Sequence, residues 1–308
     1  MKVEILITES EIAQEFTESL QARDLPEKFF YWSPHSAARW RALAATPRFA
    51  DLGRSWAELA CRAEPLVSHF PGAATVISFG AGDGSREVPV LDALRRSGRE
   101  VRYFPVDASM TLLEMACLAG EDLEIDTLGI KADISSPAHL VLASDAAEAP
   151  KLLVMAGNTL GSFDPLDQIR HLAACLHEGD RLIVDAELYH SANGSLQDDG
   201  AQRAFAFAPL AAICVGEDDG EVRFEQKHDE RHSGFYLLTR HFRATRDLRL
   251  PLPAGEVMLE RGERIGLNFH YLYTAQAFRW LLEKHARLKI LDQITSPGGR
   301  FLTAICAR

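Results

Sequence analysis

A β-strand that runs straight into a glycine-rich turn is the feature that most limits what this chain can fold into. Residues 75–85 read T-V-I-S-F-G-A-G-D-G-S, an apolar strand pattern followed by closely spaced glycines. Because glycine has no Cβ, Gly80, Gly82 and Gly84 allow tight turns and let a ligand come close to the backbone. A helix is predicted to begin just after the turn, so that its free N–H groups face that ligand. The segment is typical of the opening of a nucleotide-type cofactor domain.

The pattern that follows predicts an α/β fold with a doubly wound, Rossmann-like sheet. Between residues 78 and 187, amphipathic segments alternate with apolar runs, which read V-I-S-F, V-R-Y-F-P-V, L-G-I-K-A-D, K-L-L-V-M-A and R-L-I-V-D-A. Strands that alternate with helices form a parallel sheet that is covered on both faces. Ligands of such sheets bind at the carboxyl ends of the strands.

The rest of the chain predicts additions to this sheet. Residues 1–60 are expected to form an N-terminal helical lid, and residues 61–190 with 272–308 the cofactor domain. Residues 191–271 carry β-like runs (A-I-C-V, E-V-R-F, F-Y-L-L-T-R-H-F and E-V-M-L) between acidic or glycine turns, which predicts an antiparallel β insert for the substrate. Two final strands, separated by S-P-G-G, are expected to form a closing hairpin.

Composition argues against several classes of protein. The net charge of −11 disfavours nucleic-acid binding, which calls for clustered Lys and Arg. No apolar run approaches the roughly 18 residues that span a bilayer, and the acidic N-terminus does not resemble a secretory signal. The five cysteines are far apart and form no C-x-x-C pair, so neither a metal site nor a disulfide framework is expected. We expect a cytoplasmic protein with a small-molecule substrate, and nothing in the sequence indicates its oligomeric state.

The details around the turn predict S-adenosylmethionine (SAM) as the cofactor. Position 85 is Ser rather than the last glycine of G-x-G-x-x-G, and G-K-[ST] is absent, which disfavours a dinucleotide and a P-loop. The second strand ends at Asp107, where a carboxylate can accept hydrogen bonds from a ribose. After the third strand, Asp133 offers an acceptor for an adenine amino group and Ile134 a cover for its ring. Taken singly, either aspartate is more typical of a helix N-cap.

Four segments resemble the histidine-specific SAM-dependent methyltransferase family, which makes trimethylhistidine for ergothioneine. They are S-F-G-A-G-D-G-S-R (78–86), F-P-V-D-A-S (104–109), K-A-D (131–133) and A-G-N-T-L-G-S-F (156–163). The last is similar to the family's most distinctive segment, G-[SG]-T-I-G-N-F. The resemblance implies a class I methyltransferase fold and a basic residue facing the methionine carboxylate of SAM. It implies cofactor contacts from Gly80, Ala81, Gly82, Arg86, Asp107, Asp133, Ile134 and Gly157.

The departures from the family pattern concern the substrate. The family Asn that holds the substrate's amino and carboxylate groups falls on Ser162, and Asn158 lies one turn earlier. The Glu and Ser that recognise the imidazole fall near Asn268 and His270, and the lid tyrosine falls near Phe49. The acidic residue that opens the glycine motif is Ser78. Histidine is therefore not the expected substrate.

The predicted reaction is methyl transfer to the amine of a small amino-acid-like substrate. Such a reaction depends mainly on in-line placement and desolvation, so a general base is optional, and Glu187, Tyr189 or His190 could serve. Candidate residues beyond the cofactor set are catalytic Asn158, Ser162 and Tyr189 and substrate-binding Tyr31, Asn268 and His270. The aromatic run Phe29–Trp32 could roof the sulfonium or pack the lid onto the sheet. Two alternatives remain open at this point, a cyclase that makes azetidine-2-carboxylate from SAM itself and a non-catalytic SAM-binding protein.

Overall fold

The computed structural model describes residues 1–62, 74–148, 150–190, 200–252 and 254–308. The predicted boundary between the lid and the cofactor domain, after residue 60, falls near the end of the helix Pro47–Cys61. The predicted start of the insert falls in residues 191–199, which lie outside the described residues, as do residues 63–73, Ala149 and Pro253.

An eight-stranded sheet forms the centre of the molecule and confirms the predicted α/β architecture. Its strands, in order across the sheet, are β1 (Lys2–Ile5), β5 (Asp126–Lys131), β4 (Val101–Asp107), β3 (Ala74–Phe79), β6 (Lys151–Met155), β7 (Arg181–Glu187), β14 (Phe301–Ala307) and β13 (Lys289–Thr295). The first six pair in parallel, whereas β14 pairs antiparallel with β7 and with β13 as a closing hairpin. Strands β3 and β6 are buried along their whole length, because helices cover both faces of the sheet.

The helices follow the strands as the sequence pattern predicts, and their starts are marked by capping residues. Ser109 accepts from the backbone N–H of Leu112, and Asp164 accepts from Leu166, at the first residues of their helices. The helices are α1 (Glu9–Ala22), α2 (Phe29–Trp32), α3 (Pro34–Ala44), α4 (Pro47–Cys61), α5 (Val88–Arg96), α6 (Met110–Glu121), α7 (Pro137–Asp145), α8 (Pro165–Ala174), α9 (Gly200–Ala211) and α10 (Ala275–Trp280). Short 3-10 turns occupy Thr159–Ser162 and Glu217–Asp219, and a π-helical turn, Leu281–His285, extends α10.

A second, four-stranded sheet is built largely by the insert. Its strands, in order, are β2 (Asp24–Leu25), β12 (Arg264–Tyr273), β9 (Phe235–Ala244) and β8 (Gly220–His228), and a separate hairpin pairs β10 (Leu248–Leu252) with β11 (Gly255–Leu259). The prediction of a strand for A-I-C-V (212–215) is wrong. These residues follow the end of α9 and include a turn, because a run of four apolar residues does not by itself distinguish a strand from a helix end.

The N-terminal segment connects the two sheets. It is mainly helical, as expected, but its strand β1 joins the large sheet beside β5 and its strand β2 joins the small sheet beside β12. Phe29 and Phe30 are buried in the apolar core between the lid helices and the insert, and the Phe30 ring contacts Phe205 of α9. This packing fixes the lid over the carboxyl edge of the large sheet.

Candidate active site

The carboxyl ends of the central strands surround one cleft, the place where ligands of open α/β sheets bind. We call it the cofactor cavity. The structure places all eight predicted cofactor residues around it: Gly80, Ala81, Gly82, Arg86, Asp107, Asp133, Ile134 and Gly157. They come from the segments that follow β3, β4, β5 and β6, so parallel strands deliver them to one edge of the sheet.

The glycine turn forms the floor of the cofactor cavity, and two of its glycines are needed where they are. Gly80 has φ +72° and its N–H donates to the carbonyl of Val106 at 2.8 Å. Gly82 has φ +55°, and a Cβ there would lie 2.8 Å from the Trp40 ring. A side chain at Gly82 would therefore be strained and would collide with the lid.

Asp107 ends β4 inside the cofactor cavity and holds the turn in shape. Its carboxylate accepts from the N–H of Gly82 at 3.0 Å and from the N–H of Ser109 at 2.9 Å. Burial raises the pKa of Asp107 to about 6, although these backbone hydrogen bonds lower it. A carboxylate has further lone pairs beyond these two bonds, so Asp107 can also accept from ligand hydroxyls.

Asp133 and Ile134 lie on the adjoining wall, where Asp133 is tied to the lid. Lys28 donates to Asp133 and also to Glu15 of α1, and Ser135 donates to the other oxygen of Asp133. Burial opposes ionisation of Asp133, but the bonds from Lys28 and Ser135 outweigh it and lower its pKa. The ion pair with Lys28 thus joins the lid to this wall of the cofactor cavity.

The charges around the cofactor cavity suit a cationic ligand that carries one carboxylate. Carboxyl groups of Glu27, Asp83, Glu87, Asp107 and Asp133 line it. Against them stand Lys28 and Arg86, and Arg86 makes no hydrogen bond or ion pair with any described residue. Burial and the charges of Asp107 and Asp133 raise the pKa of Glu27 well above its usual value. SAM has a sulfonium, an ammonium and one carboxylate, so the acidic wall and the free Arg86 fit it.

Glu87 is a lining residue that the sequence interpretation missed. The motif position expected to be acidic is Ser78, and its hydroxyl donates to the carboxyl of Glu87 at 2.6 Å. Glu87 is buried, its Oε2 has no hydrogen-bond partner in the described part of the chain, and burial raises its pKa to about 7. No signal in the sequence indicated that a residue nine positions later would supply the missing carboxyl.

Asp185 organises the loop after β6. It accepts from the N–H of Gly157 at 3.0 Å, from the N–H of Asn158 and from the indole N–H of Trp56 at 2.7 Å. Burial raises the pKa of Asp185, while these hydrogen bonds oppose the shift. Asn158 has φ +58°, a left-handed conformation that Asn tolerates better than most residues. The loop is therefore held rigidly beside the cofactor cavity.

Next to this loop lie four residues, buried Asn158 and Glu187 and partly buried Arg48 and His270, which we call the polar cluster. Arg48 of the lid binds both carboxylate oxygens of Glu187, with an Nε–Oε1 distance of 2.9 Å. Asn158 accepts from the Glu187 N–H at 2.9 Å through Oδ1 and therefore presents its NH₂ to His270 Nε2. His270 Nε2 lies 3.8 Å from Glu187 Oε2, beyond hydrogen-bond distance.

Electrostatics keep His270 neutral. Burial, together with the positive charges of Arg240 and Arg48, lowers the pKa of His270 well below its usual value. Since Nε2 accepts from Asn158, the ring proton is assigned to Nδ1. His270 can thus donate from Nδ1, while Glu187 has both oxygens engaged by Arg48 and is unsuited to the role of general base.

The remaining predicted residues are distributed over three places. Tyr31 lines the cofactor cavity beside Trp40. Ser162 and Asn268 line a neighbouring cavity that shares Lys28 and Asp133 with it. Tyr189 is not among the residues of either cavity, since its ring stacks on Tyr236 with centroids 3.6 Å apart.

Two negative findings concern the described residues only. No helix among them is both long and apolar enough to cross a bilayer. They also contain no cluster of His, Cys, Asp or Glu positioned to hold a metal ion.

One of three solved structures that resemble this chain, a methyltransferase with a TM-score of 0.50, supports the described fold. A SAM-dependent methyltransferase from Clostridium acetobutylicum is 12% identical, with a TM-score of 0.50, and the match covers 88% of this chain and 98% of that one. The CcbJ methyltransferase from Streptomyces caelestis is 13% identical, with a TM-score of 0.39 and coverage of 83% and 88%. A SAM-bound amino pentose methyltransferase from Micromonospora echinaspora is 12% identical, with a TM-score of 0.40 and coverage of 84% and 94%. A search of curated proteins by sequence found no match.

A protein-family model settles the assignment. The model for the histidine-specific, SAM-dependent methyltransferases matches residues 9–198, which is more than half of the chain and includes the glycine turn, Asp107 and the loop of Asn158. The chain therefore belongs to the histidine-specific, SAM-dependent methyltransferase family, and it is an enzyme that uses SAM as its cofactor.

Proposed function

We propose that this enzyme methylates the amine of a small amino-acid-like substrate other than histidine. The observation that carries the proposal is the polar cluster beside the cofactor cavity. It offers buried hydrogen-bonding groups to a second molecule, but it lacks a free carboxylate for an imidazole. Its only carboxylate, Glu187, is bound on both oxygens by Arg48.

We propose that the eight predicted residues of the cofactor cavity hold SAM. Asp107 would accept from the ribose hydroxyls, Asp133 from the adenine amino group, and Arg86 would pair with the methionine carboxylate. Bound in this way, SAM supplies an electrophilic methyl group. The arrangement is supported by the acidic lining and by the free guanidinium of Arg86.

The acceptor would lie on the side of Tyr31 and His270. His270 is neutral and is oriented by Asn158, so it can donate from Nδ1 to an acceptor without adding a positive charge beside the sulfonium. Exclusion of water by the lid would favour an unprotonated amine, because desolvation disfavours the charged form. The enzyme then needs only to place the lone pair in line with the methyl group.

Histidine recognition is disfavoured by two of the substrate positions that differ from the family pattern. Near Asn268 and His270 the family pattern has Glu and Ser, whereas here Asn268 has φ +54° and lines a different cavity. The nitrogen His270 Nε2 is already occupied by Asn158. We therefore expect L-histidine to be methylated poorly, if at all, relative to the true acceptor.

The test is an acceptor screen by mass spectrometry. Purified enzyme is incubated with SAM and a panel of amino acids and small amines, with L-histidine included, and S-adenosylhomocysteine and methylated products are measured. An amine product with little trimethylhistidine supports the proposal, and efficient formation of trimethylhistidine contradicts it. An incubation with SAM alone serves as the control, because methylthioadenosine formed there would indicate cyclisation of SAM instead.

A further inference from the structure

Arg240 is a buried cation with no partner in the part of the chain that the structure describes. It lies on β9 between Leu238 and Phe242, on the strand face that points into the apolar core, and is 7% exposed. Its guanidinium makes no hydrogen bond or ion pair with any described residue, and its Nε has no access to solvent. An unpaired buried charge is strongly destabilising, so Arg240 is placed to pair with an anion that the described part of the chain does not supply.

The neighbouring charges do not balance Arg240. Burial lowers the pKa of Arg240 to about 10, and the nearby groups that act on it are Tyr31, Arg48 and Glu187. Glu187 neutralises Arg48 through their bidentate pair, and one nitrogen of Arg48, Nη1, is buried without a partner. Because His270 is neutral, this region has an excess of one positive charge and at least two unused guanidinium donors.

The carboxylate of SAM does not balance the excess positive charge around Arg240 and Arg48. SAM has a single carboxylate, and Arg86 stands free for it on the wall formed by the glycine turn. Tyr31 connects the two regions, because it lines the cofactor cavity and also acts electrostatically on Arg240. An anion near Arg240 would thus belong to a second molecule held beside the cofactor.

We propose that Arg240 binds an oxyanion of the methyl acceptor, either a carboxylate or a phosphate, in a subsite shared with Tyr31 and Arg48. This inference rests on the proposed function and adds which residue binds the oxyanion of the acceptor. Guanidinium groups bind planar carboxylates and phosphates through paired, charge-assisted hydrogen bonds. Arg240 is then a specificity-determining residue that places the acceptor. The cofactor is held by the eight residues of the cofactor cavity, which do not include Arg240.

The test compares Arg240→Met with Arg243→Met. Arg243 lies on the same strand but is exposed, so its substitution controls for the loss of one arginine. Each protein is saturated with S-adenosylhomocysteine and titrated at constant ionic strength with acetate, with inorganic phosphate and with neutral acetamide, while its melting temperature is recorded. We expect acetate or phosphate, but not acetamide, to raise the melting temperature of the wild type and of Arg243→Met.

For Arg240→Met we expect the anion response to disappear and the ligand-free melting temperature to stay level or rise. Replacing an unpaired buried charge by an apolar side chain of similar length removes a destabilising group. A lower ligand-free melting temperature with an unchanged anion response would assign Arg240 a structural role and overturn the inference. So would a wild type that responds to neither anion. A response to acetate alone identifies the acceptor group as a carboxylate, and a response to inorganic phosphate alone identifies it as a phosphate.

Kinetics separate this inference from the proposed function. With an acceptor found in the screen, Arg240→Met should raise the acceptor KM by on the order of 10- to 100-fold, the loss expected for a hydrogen bond to a charged group. The affinity for S-adenosylhomocysteine should stay within about twofold of wild type, since Arg240 does not line the cofactor cavity. An unchanged KM would overturn only the role of Arg240, whereas a wild type that methylates no amine would overturn the proposed function.

Discussion

Replacing Asp107 tests the cofactor site most directly. Asp107 is 8% exposed and accepts from the backbone N–H groups of Gly82 and Ser109. If it also accepts from the ribose hydroxyls, Asp107→Ala removes at least one hydrogen bond to a charged group, about 1.5–3 kcal/mol. At about 1.4 kcal/mol per factor of ten, the Kd for S-adenosylhomocysteine should rise by roughly 10- to 150-fold.

Two companion variants make the measurement specific. Asp107→Asn keeps the shape and one acceptor oxygen, so we expect a smaller loss of affinity than with alanine. Asp126→Ala removes an exposed carboxylate that pairs with Arg102 on the neighbouring strand, and we expect its affinity to be unchanged. Isothermal titration calorimetry gives the Kd values, and urea unfolding of the ligand-free proteins measures how far the loss of backbone acceptors destabilises the turn. Wild-type affinity in Asp107→Ala would refute the ribose role.

Three further results are expected. Burial raises the pKa of Asp107 to about 6, and the ribose hydroxyls need the ionised carboxylate as acceptor. The affinity for S-adenosylhomocysteine should therefore fall as the pH drops below about 6, by up to about tenfold per pH unit. In calorimetric titrations, Asp107→Asn should lose this pH dependence. Asn158→Ala should lower turnover more than cofactor affinity, because Asn158 orients His270 and accepts from the Glu187 N–H. Asn158→Gly, which tolerates the left-handed backbone, separates side-chain from backbone effects. Wild-type turnover in both variants would contradict a role of the Asn158 side chain in catalysis. Trp56→Phe should reduce the free energy of unfolding in urea by about 1–3 kcal/mol, because it leaves a buried carboxylate without one donor, and an unchanged midpoint would argue against that bond.

The cofactor half of the site could be predicted from local sequence. The glycine turn, Asp107 and Asp133 each follow a strand, and parallel strands bring such positions to one edge whatever the loops between them do. The prediction therefore required only the order of strands and helices. The structure places all eight predicted residues around one cavity, and their contacts with SAM remain the prediction that calorimetry will test.

The lid contacts could not be predicted in the same way. Lys28 meets Asp133 across 105 positions, and Arg48 meets Glu187 across 139. Such pairs depend on how the lid packs against the rest of the protein, and neither hydrophobic periodicity nor motif spacing predicts that packing. The failure at residues 212–215 has a different cause, since four apolar residues satisfy both a helix end and a strand.

Position 78 shows that a carboxyl absent from a motif can be supplied from elsewhere in the chain. The expected acid is a serine, but Ser78 donates to Glu87, and Glu87 brings a carboxyl to the cofactor cavity from nine residues further along. The polar cluster at the acceptor end differs. A carboxylate is present there too, 3.8 Å from His270, but Arg48 occupies both of its oxygens, and Arg240 adds a positive charge that has no partner among the described residues. The cofactor cavity thus contains a buried carboxyl from Glu87, whereas the polar cluster offers no free carboxylate and adjoins the cation of Arg240, and for this reason we expect an acceptor that carries an oxyanion.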